Sequence, residues 1–223
     1  MRMDKILTVL TPFYNNHPTI KRCLRSIEEQ SLSKKFFDHI IIDDCSDKPL
    51  TRKAGANEYN HLTIVRHDSN MGLPSALNTG LEHTNTRYFV RLDADDYMHR
   101  LCLEALYETM YLISEVGVKS AGSGYVGVSC DYKTVDNEEN TISLCSAESE
   151  PIGCGIIFKT DVVKSIGGYD EKMRMAEEVE LRKRLDIAGK IYHLNMPLYR
   201  YVRHDSNMTN NNELYKKYIN KIK

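Results

Sequence analysis

The sequence predicts an α/β fold in which helices flank a mostly parallel central sheet, followed by a smaller mixed region. Short apolar strands alternate with amphipathic helices through the first half of the 223 residues, a rhythm typical of parallel sheets with covering helices. Acidic or polar residues come directly after several of these strands, at the carboxyl ends where such sheets bind ligands. Hydrophobic residues make up 41% of the chain, which is typical of a soluble globular protein.

The first half predicts four strands. Each is a short apolar run that stops at polar, acidic or glycine-containing residues, as strands buried in a sheet do. They occupy residues 6–10, 39–42, 62–65 and 88–92.

Two helices connect these strands. The first, at residues 18–30, has Pro18 near its first turn, where a fixed φ is favourable, and Asn16 or His17 can cap it. Its apolar residues recur on one face: Ile20, Cys23, Leu24 and Ile27. The second helix is short and covers residues 75–83.

The second half is predicted to be more mixed. After a helix at residues 101–113, the strands at 125–132 and 154–159 need not alternate with long helices. A helix at residues 177–188 has apolar residues at i, i+4 and i+7 spacing, with Gly189 as its C-cap. No proline- or serine-rich linker separates the halves, so we expect one domain over residues 1–223.

The charges of the chain nearly cancel. Lys and Arg number 30 against 31 Asp and Glu, which excludes a globally basic nucleic-acid binder. Residues 1–180 contain 20 Lys and Arg against 28 Asp and Glu, whereas the remainder contains 10 against 3. We therefore expect a cation near the acidic part and an anion near the basic part.

The six cysteines include no C-x-x-C pair, and the chain does not open with a charged stretch leading into a long apolar run. A structural zinc site, a signal peptide and a transmembrane helix are therefore not predicted. Scattered cysteines are typical of a reducing compartment, and the cytoplasm is the simplest expectation.

The strongest chemical signal is an acidic cluster that follows the strand at 88–92. Asp93, Asp95 and Asp96 lie within four positions, and such carboxylates repel one another unless a cation lies among them. Hard oxygen ligands suit Mg²⁺ or Mn²⁺, and the ion could bridge to a diphosphate. The alternative is a solvated acidic turn that caps the next helix.

Two further strand ends carry polar or aromatic residues, at 11–16 and at 43–47. Together with the acidic cluster they could hold a base by stacking, a ribose by a carboxylate and phosphates through the metal. The alternative at each turn is ordinary Asx or proline turn chemistry.

The order and spacing of these motifs resemble the family-two, GT-A-fold glycosyltransferases, whose sheet is Rossmann-like. The likeness rests on residues 11–15, 43–47, 70–72 with 78–80, 93–96, 167–171 with 177–181, and 199–204. It implies a nucleotide-sugar-binding half at residues 1–100, an acceptor-side half at 101–212 and a basic amphipathic helix at 213–223.

The resemblance implies a role for individual residues. Glu178 would be the catalytic base, although the family usually has Asp there and Glu is longer by one methylene; the alternative is a solvated acid in the first turn of a helix. The metal, Mn²⁺ or Mg²⁺, would be held by Asp95, Asp96 and His204. The nucleotide-sugar would contact Pro12, Phe13, Tyr14, Asn15, Asp44, Asn70, Gly72, Asp93, Ala94 and Arg203.

The function implied is inverting transfer of a sugar, with UDP favoured in the donor, to a hydroxyl of a saccharide or lipid-linked acceptor in cell-surface polysaccharide or glycolipid synthesis. Two alternatives stay open on the residues alone. One is a D-x-D phosphotransferase or phosphatase, and the other is a non-catalytic scaffold that binds a nucleotide sugar.

Two features lie outside these motifs. The heptapeptide at residues 65–71 recurs at 202–208, either through chance reuse of loop-favouring residues or because both loops approach one anionic ligand. The C-terminal helix could lie on an anionic membrane, as a peripheral contact at the cytoplasmic face, or pack as the last element of the domain. Its apolar residues are Leu214, Tyr215, Tyr218, Ile219 and Ile222.

Overall fold

A computed structural model describes residues 5–51, 61–116, 124–205, 207 and 212–222. The strands are β1 (Leu7–Phe13), β2 (Phe37–Asp43), β3 (Leu62–Arg66), β4 (Tyr88–Arg91), β5 (Tyr97–Met98), β6 (Tyr125–Val135), β7 (Thr141–Cys145), β8 (Ile156–Lys159) and β9 (Lys190–Val202). The helices are α1 (Ile20–Glu28), α2 (Leu73–Glu82), α3 (Cys102–Tyr111), α4 (Thr160–Ser165), α5 (Glu177–Ala188) and α6 (Asn212–Ile222), and α3 continues as a π-helical turn over Leu112–Val116.

The strands form one sheet in the order β3-β2-β1-β4-β8-β6-β9-β5, with β7 paired to β6. The four strands of the first half are parallel. From β8 onward the sheet is mixed, because β8 is antiparallel to both β4 and β6, whereas β9 runs parallel to β6. The α/β architecture is thus confirmed, with its parallel pairs concentrated in the first half.

The strand register brings the predicted loops together. Phe13 pairs with Asp43 across β1 and β2, and Leu10 pairs with Arg91 across β1 and β4. The carboxyl ends of these three neighbouring strands therefore lie side by side, and so do the loops that follow them.

Apolar side chains alternate between the two faces of the sheet. Val9, Ile41 and Val90 pack in the layer of α1 and α3, whereas Leu10 and Phe89 pack in the layer of α2 and α5. This alternation follows from the two-residue period of a strand. Burying each such side chain contributes roughly 1.5–3 kcal/mol.

Helix α1 is shorter than predicted. It begins after Thr19, whose hydroxyl donates to the Ala94 carbonyl at 2.9 Å. Neither predicted cap acts through its side chain: His17 instead pairs with the Lys48 carbonyl, and Asn16 contributes its backbone carbonyl to Ile20 N–H. The predicted apolar face is confirmed, since Ile20, Cys23 and Ile27 are buried.

Helix α5 has the predicted bounds, and Gly189 follows it. A Cβ at this glycine would lie 2.2 Å from the Gly124 carbonyl oxygen. The glycine is therefore required by the close approach of two backbone segments rather than by a left-handed turn.

Helix α6 packs its apolar side against the segment that precedes α5. Tyr218 is buried with Met173 and Met175, and Leu214 and Ile219 pack on the same cluster. This is the packed arrangement that the sequence left open; Lys223, the end of the predicted helix, lies outside the described residues. Within the described residues, no helix combines the length and apolar character needed to span a membrane.

Candidate active site

The first two strand-end loops are tied together by hydrogen bonds. Asn15, whose φ is 55°, lies beside loop 43–47. Its backbone N–H donates to Ser46 Oγ at 2.9 Å, and its side-chain oxygen accepts from Asp47 N–H at 2.9 Å. Phe13 is buried in the core, whereas Tyr14 is 47% exposed. Of these two aromatic rings, Tyr14 is therefore the one that can stack on a ligand.

Asp43 fixes the second loop from the inside. Its carboxylate accepts from the backbone N–H groups of Ser46 and Leu50 and from Arg66 Nη1 at 2.6 Å. Burial raises the pKa of Asp43, but these hydrogen bonds outweigh it and hold the pKa below its usual range. Asp43 is thus an ionised anchor for its own loop.

Asp44 joins the second loop to the third. Its carboxylate accepts from the backbone N–H groups of Met71 at 2.8 Å and Gly72 at 2.7 Å, and from His67 Nδ1 at 2.7 Å. Asn70 donates to the Asp44 carbonyl at 3.4 Å. Asp44, Asn70 and Gly72, all predicted to meet the nucleotide-sugar, are therefore one connected unit.

Asp93 is held by a buried arginine at the end of β4. Arg91 donates to both oxygens of Asp93, through Nε at 2.7 Å and Nη2 at 2.9 Å, and donates through Nη1 to Glu177 at 2.8 Å. Burial lowers the pKa of Arg91, but the charges of Asp93 and Glu177 outweigh it and the pKa is raised. One cation thus balances two carboxylates from distant parts of the chain.

Asp95 faces His204, which follows β9. His204 Nε2 lies 3.0 Å from Asp95 Oδ2, and both side chains are partly exposed. Burial and the charge of Asp93 raise the pKa of Asp95, opposed by His204. A carboxylate oxygen and an imidazole nitrogen are both ligands of Mn²⁺, and adjacent octahedral ligands at about 2.1 Å from an ion lie about 3 Å apart. The pair therefore fits a divalent ion.

Asp96 anchors β9 to the acidic loop. It is buried, and it accepts from the Tyr199 hydroxyl at 2.7 Å and from Val202 N–H at 2.8 Å. Burial and the charges of Asp95 and Asp93 raise its pKa well above the usual range. The carboxylates of Asp96 and Asp93 and the thiol of Cys154 have ligand atoms within 4.8 Å of one another. These three residues form a cluster that could hold a metal ion.

The backbone around the acidic loop is also fixed. Ala94 is buried and presents no side chain to a ligand, and its carbonyl is the acceptor of the Thr19 hydroxyl. Arg203 directly follows β9, with its guanidinium 5.0 Å from the centroid of the Tyr201 ring. Contact of Arg203 with a diphosphate stays a prediction.

Glu178 lies in the first turn of α5, and this helix begins directly after Ala176, whose φ of 61° is unusual for a residue with a Cβ. Burial is the main cause that raises the pKa of Glu178 to about 7, the charge of Glu177 raises it further, and Arg91 and Arg182 oppose both. A carboxylate with a pKa near neutrality can accept a proton from a substrate and release it again.

The repeated heptapeptide places each of its histidines beside an aspartate. His67 contacts Asp44 in the first copy, and His204 contacts Asp95 in the second. Ser206 and Met208 of the second copy lie outside the described residues. Both copies thus border the predicted ligand site, as one of the two interpretations requires.

Several site residues were not singled out from the sequence. Arg91 carried a signal, because a charged residue inside the apolar run 88–92 must find a partner when it is buried. The sequence indicated His67 only as part of the repeated heptapeptide, and Tyr199 only as part of the motif at residues 199–204. Gly153 carried no signal; a Cβ there would lie 2.8 Å from Arg91 Nη1.

The fold and the site define a class of protein, the GT-A-type glycosyltransferases. The parallel strands end in a D-x-D loop, and the mixed half of the sheet brings His204 and the acidic start of α5 toward it. The family model described as Glycosyl transferase family 2 matches residues 8–166. The chain belongs to this family.

Relatives and solved structures agree with this membership. The chain is 31% identical over 169 residues to the teichoic acid poly(glycerol phosphate) polymerase of Staphylococcus epidermidis, a match that covers 71% of this chain and 23% of that protein. The structure of S. aureus TarS in complex with UDP gives a TM-score of 0.68 at 20% identity, over 89% of this chain and 60% of that one.

A second solved structure shares the fold. The mannosyltransferase PcManGT from Pyrobaculum calidifontis, in complex with GDP-Man and Mn²⁺, gives a TM-score of 0.66 at 18% identity, over 92% of this chain and 59% of that one. The chain spans less than two thirds of the length of the curated relatives that it matches first.

Proposed function

We propose that this protein is a metal-dependent, inverting glycosyltransferase that moves a sugar from a nucleotide-sugar donor to a hydroxyl of a saccharide or lipid-linked acceptor. The observation that carries the proposal is Glu178, a partly buried carboxylate whose pKa is raised to about 7 at the start of α5. Its neighbour Glu177 is joined through Arg91 to the D-x-D loop. A base and a donor loop are therefore parts of one network.

Within this mechanism, Glu178 removes the proton of the acceptor hydroxyl, and the oxygen attacks the anomeric carbon opposite the nucleoside diphosphate. Attack from the opposite side inverts that carbon. The pKa of Glu178 matches a neutral operating pH, where the base is substantially ionised and still basic enough to accept the proton.

Asp95 and His204 are proposed to hold the ion, Mn²⁺ or Mg²⁺, with Asp96 supporting them. Such an ion supplies positive charge for the departing diphosphate. Asp96 also positions His204, because its hydrogen bonds to Tyr199 and Val202 hold the end of β9, two residues before His204.

The donor is proposed to lie along the three strand ends. Tyr14 can stack on the base, and Pro12, Phe13 and Asn15 shape the loop beneath it. Asp44, Asn70 and Gly72 form the adjoining wall, followed by Asp93, Ala94 and Arg203 toward the phosphates. UDP is proposed as the nucleotide, supported by the shared fold with TarS in complex with UDP.

A role in cell-surface polysaccharide or glycolipid synthesis is supported by the likeness to a teichoic acid polymerase. The cytoplasm is the proposed location, in keeping with six free cysteines. Peripheral membrane contact through α6 stays a prediction, in which the exposed lysines Lys216 and Lys217 would meet the surface, since the apolar side of α6 is packed on the domain.

The D-x-D phosphotransferase hypothesis is less favoured. Arg91 donates to both oxygens of Asp93, and this bidentate pairing stabilises the carboxylate charge and so weakens Asp93 as a nucleophile. Transfer assays distinguish an enzyme from a non-catalytic scaffold that binds a nucleotide sugar.

The test compares Glu178→Gln with Glu180→Gln in transfer assays over a panel of UDP-, GDP- and dTDP-sugars with Mn²⁺. Glu180 lies in the same turn and pairs with Arg184, so its substitution removes the same charge without touching the base. We expect E178Q to lose roughly 10²–10⁴-fold of the rate, E180Q to stay active, and the product to be inverted by NMR. Near-normal transfer by E178Q would refute the proposal, and metal-independent binding without any transfer would favour the scaffold.

A further inference from the structure

The D-x-D loop and the start of α5 meet at one buried side chain, Arg91. Its guanidinium makes three charge-assisted hydrogen bonds, two to Asp93 and one to Glu177, all between 2.7 and 2.9 Å. Asp93 lies two residues away in the chain, whereas Glu177 is 86 residues away. The planar fork of an arginine fixes direction as well as distance, which a point charge such as lysine does not.

The fork has little freedom to move. A Cβ on Gly153 would lie 2.8 Å from Arg91 Nη1 and 3.1 Å from the Cβ of Glu178. The backbone at Gly153 therefore packs directly against both the guanidinium and the start of α5. A shift of Arg91 must be passed on to α5 or to the D-x-D loop, because a close-packed interior transmits displacement.

Arg91 is also one of the charged groups that face Glu178. These are Glu177 and Arg182 on α5 and Arg91 on β4, and the Tyr215 hydroxyl faces the carboxylates from α6. Glu177 is clamped by Arg91, whereas Glu178 accepts no hydrogen bond from another residue within the described ranges. The clamped Glu177 carboxylate is thus adjacent to the Glu178 carboxylate, which is free to accept a proton.

We propose that Arg91 and Glu177 are positioning residues for the transfer reaction: the guanidinium of Arg91 holds the D-x-D loop and the start of α5 at a fixed separation, and the clamped Glu177 directs the Glu178 carboxylate toward the acceptor. The proposal rests on the proposed function of Glu178. An acid that only caps the helix would not have this positioning role.

Charge and position can be separated by substitution. Glu177→Gln keeps the oxygen that accepts from Arg91 but removes the negative charge beside Glu178. The pKa of the base should then fall, so the acid limb of the kcat/KM profile should move to lower pH. Gly153→Ala keeps every charge but displaces both the fork and the start of α5, so kcat should fall by up to about 10²-fold, the loss expected from a misplacement of about 1 Å.

The experiment measures kcat and KM against pH for E177Q, G153A and Arg91→Lys, with E180Q and Arg184→Lys as matched controls. The controls make the same substitutions in the Glu180–Arg184 pair on α5. A rise in the melting temperature of each variant on addition of UDP and Mn²⁺ shows that the variant is folded and binds the nucleotide. If R91K does not fold, E177Q and G153A carry the test.

An acid limb that moves in E177Q but not in E180Q, with a loss of kcat in G153A and in folded R91K but not in R184K, supports the proposal. An unchanged acid limb in E177Q, or full kcat in a folded G153A, overturns it. Near-normal activity of E178Q overturns the proposed function instead, because the base itself would then be dispensable. The two failures are thus distinguished by different variants.

Discussion

Replacing Glu178 by Gln should stabilise the folded protein at alkaline pH while it removes activity. The pKa of this carboxyl rises from 4.5 to about 7 on folding, mainly because burial penalises its charged form. The folded state therefore binds the proton more tightly than the unfolded state does, so the stability of the wild-type protein falls as the pH rises from 4.5 to 7. Above pH 7 the loss is complete.

The size of the effect follows from the same values. A change of tenfold in proton affinity corresponds to about 1.4 kcal/mol, so the ionised Glu178 costs about 3 kcal/mol at pH 8 and nothing near pH 4. Gln cannot ionise and escapes this cost. For a chain of this length, about 3 kcal/mol corresponds to a rise in Tm of roughly 6–12 °C.

The assay is urea or thermal unfolding of the wild type, E178Q and E180Q at pH 5 and pH 8, without metal or nucleotide. We expect E178Q to exceed the wild type at pH 8 and to approach it at pH 5. E180Q should show no such gain, because its carboxylate is paired with Arg184. A stability difference between E178Q and wild type that is the same at both pH values would refute a buried, destabilised base at this position.

Three further outcomes follow from the structure. Asp95→Ala and His204→Ala should each abolish the dependence of UDP binding on Mn²⁺, measured by calorimetry. Their urea midpoints should stay close to that of the wild type, because both side chains are partly exposed. A variant that keeps metal-dependent binding would show that the replaced residue is not a ligand of the ion. Gly72→Ala should cost about 1 kcal/mol in urea unfolding, because the φ of 92° strains any residue with a Cβ; equal stability would contradict this. Ending the chain before α6 should expose Met175 and lower the urea midpoint, because α6 covers the segment that precedes α5; an unchanged midpoint would contradict this. Liposome flotation with and without α6 tests the predicted membrane contact, which flotation independent of α6 would contradict.

Much of the fold could be predicted from local pattern. The apolar runs at 39–42 and 62–65 are strands β2 and β3, and the predicted bounds of the helix at 177–188 are those of α5. These signals are strong because buried strands and amphipathic helices must repeat their apolar residues with a fixed period. Neither β5 nor β7 was predicted: β5 has only two residues and is too short to show a period, and the alternating Ile142 and Leu144 of β7 are exposed rather than buried.

The sequence by itself determined the α/β class and the chemical character of the strand-end loops, because both depend on residues that are neighbours in the chain. Only the tertiary structure decided which carboxylates are committed to the fold and which are available. Asp93 and Asp96 are hydrogen-bonded by Arg91 and Tyr199, whereas Asp95 meets His204, which follows the distant strand β9. The near-neutral pKa of Glu178 likewise arises from burial and from Glu177 and Arg91 together, and burial is a property of packing that no run of residues contains.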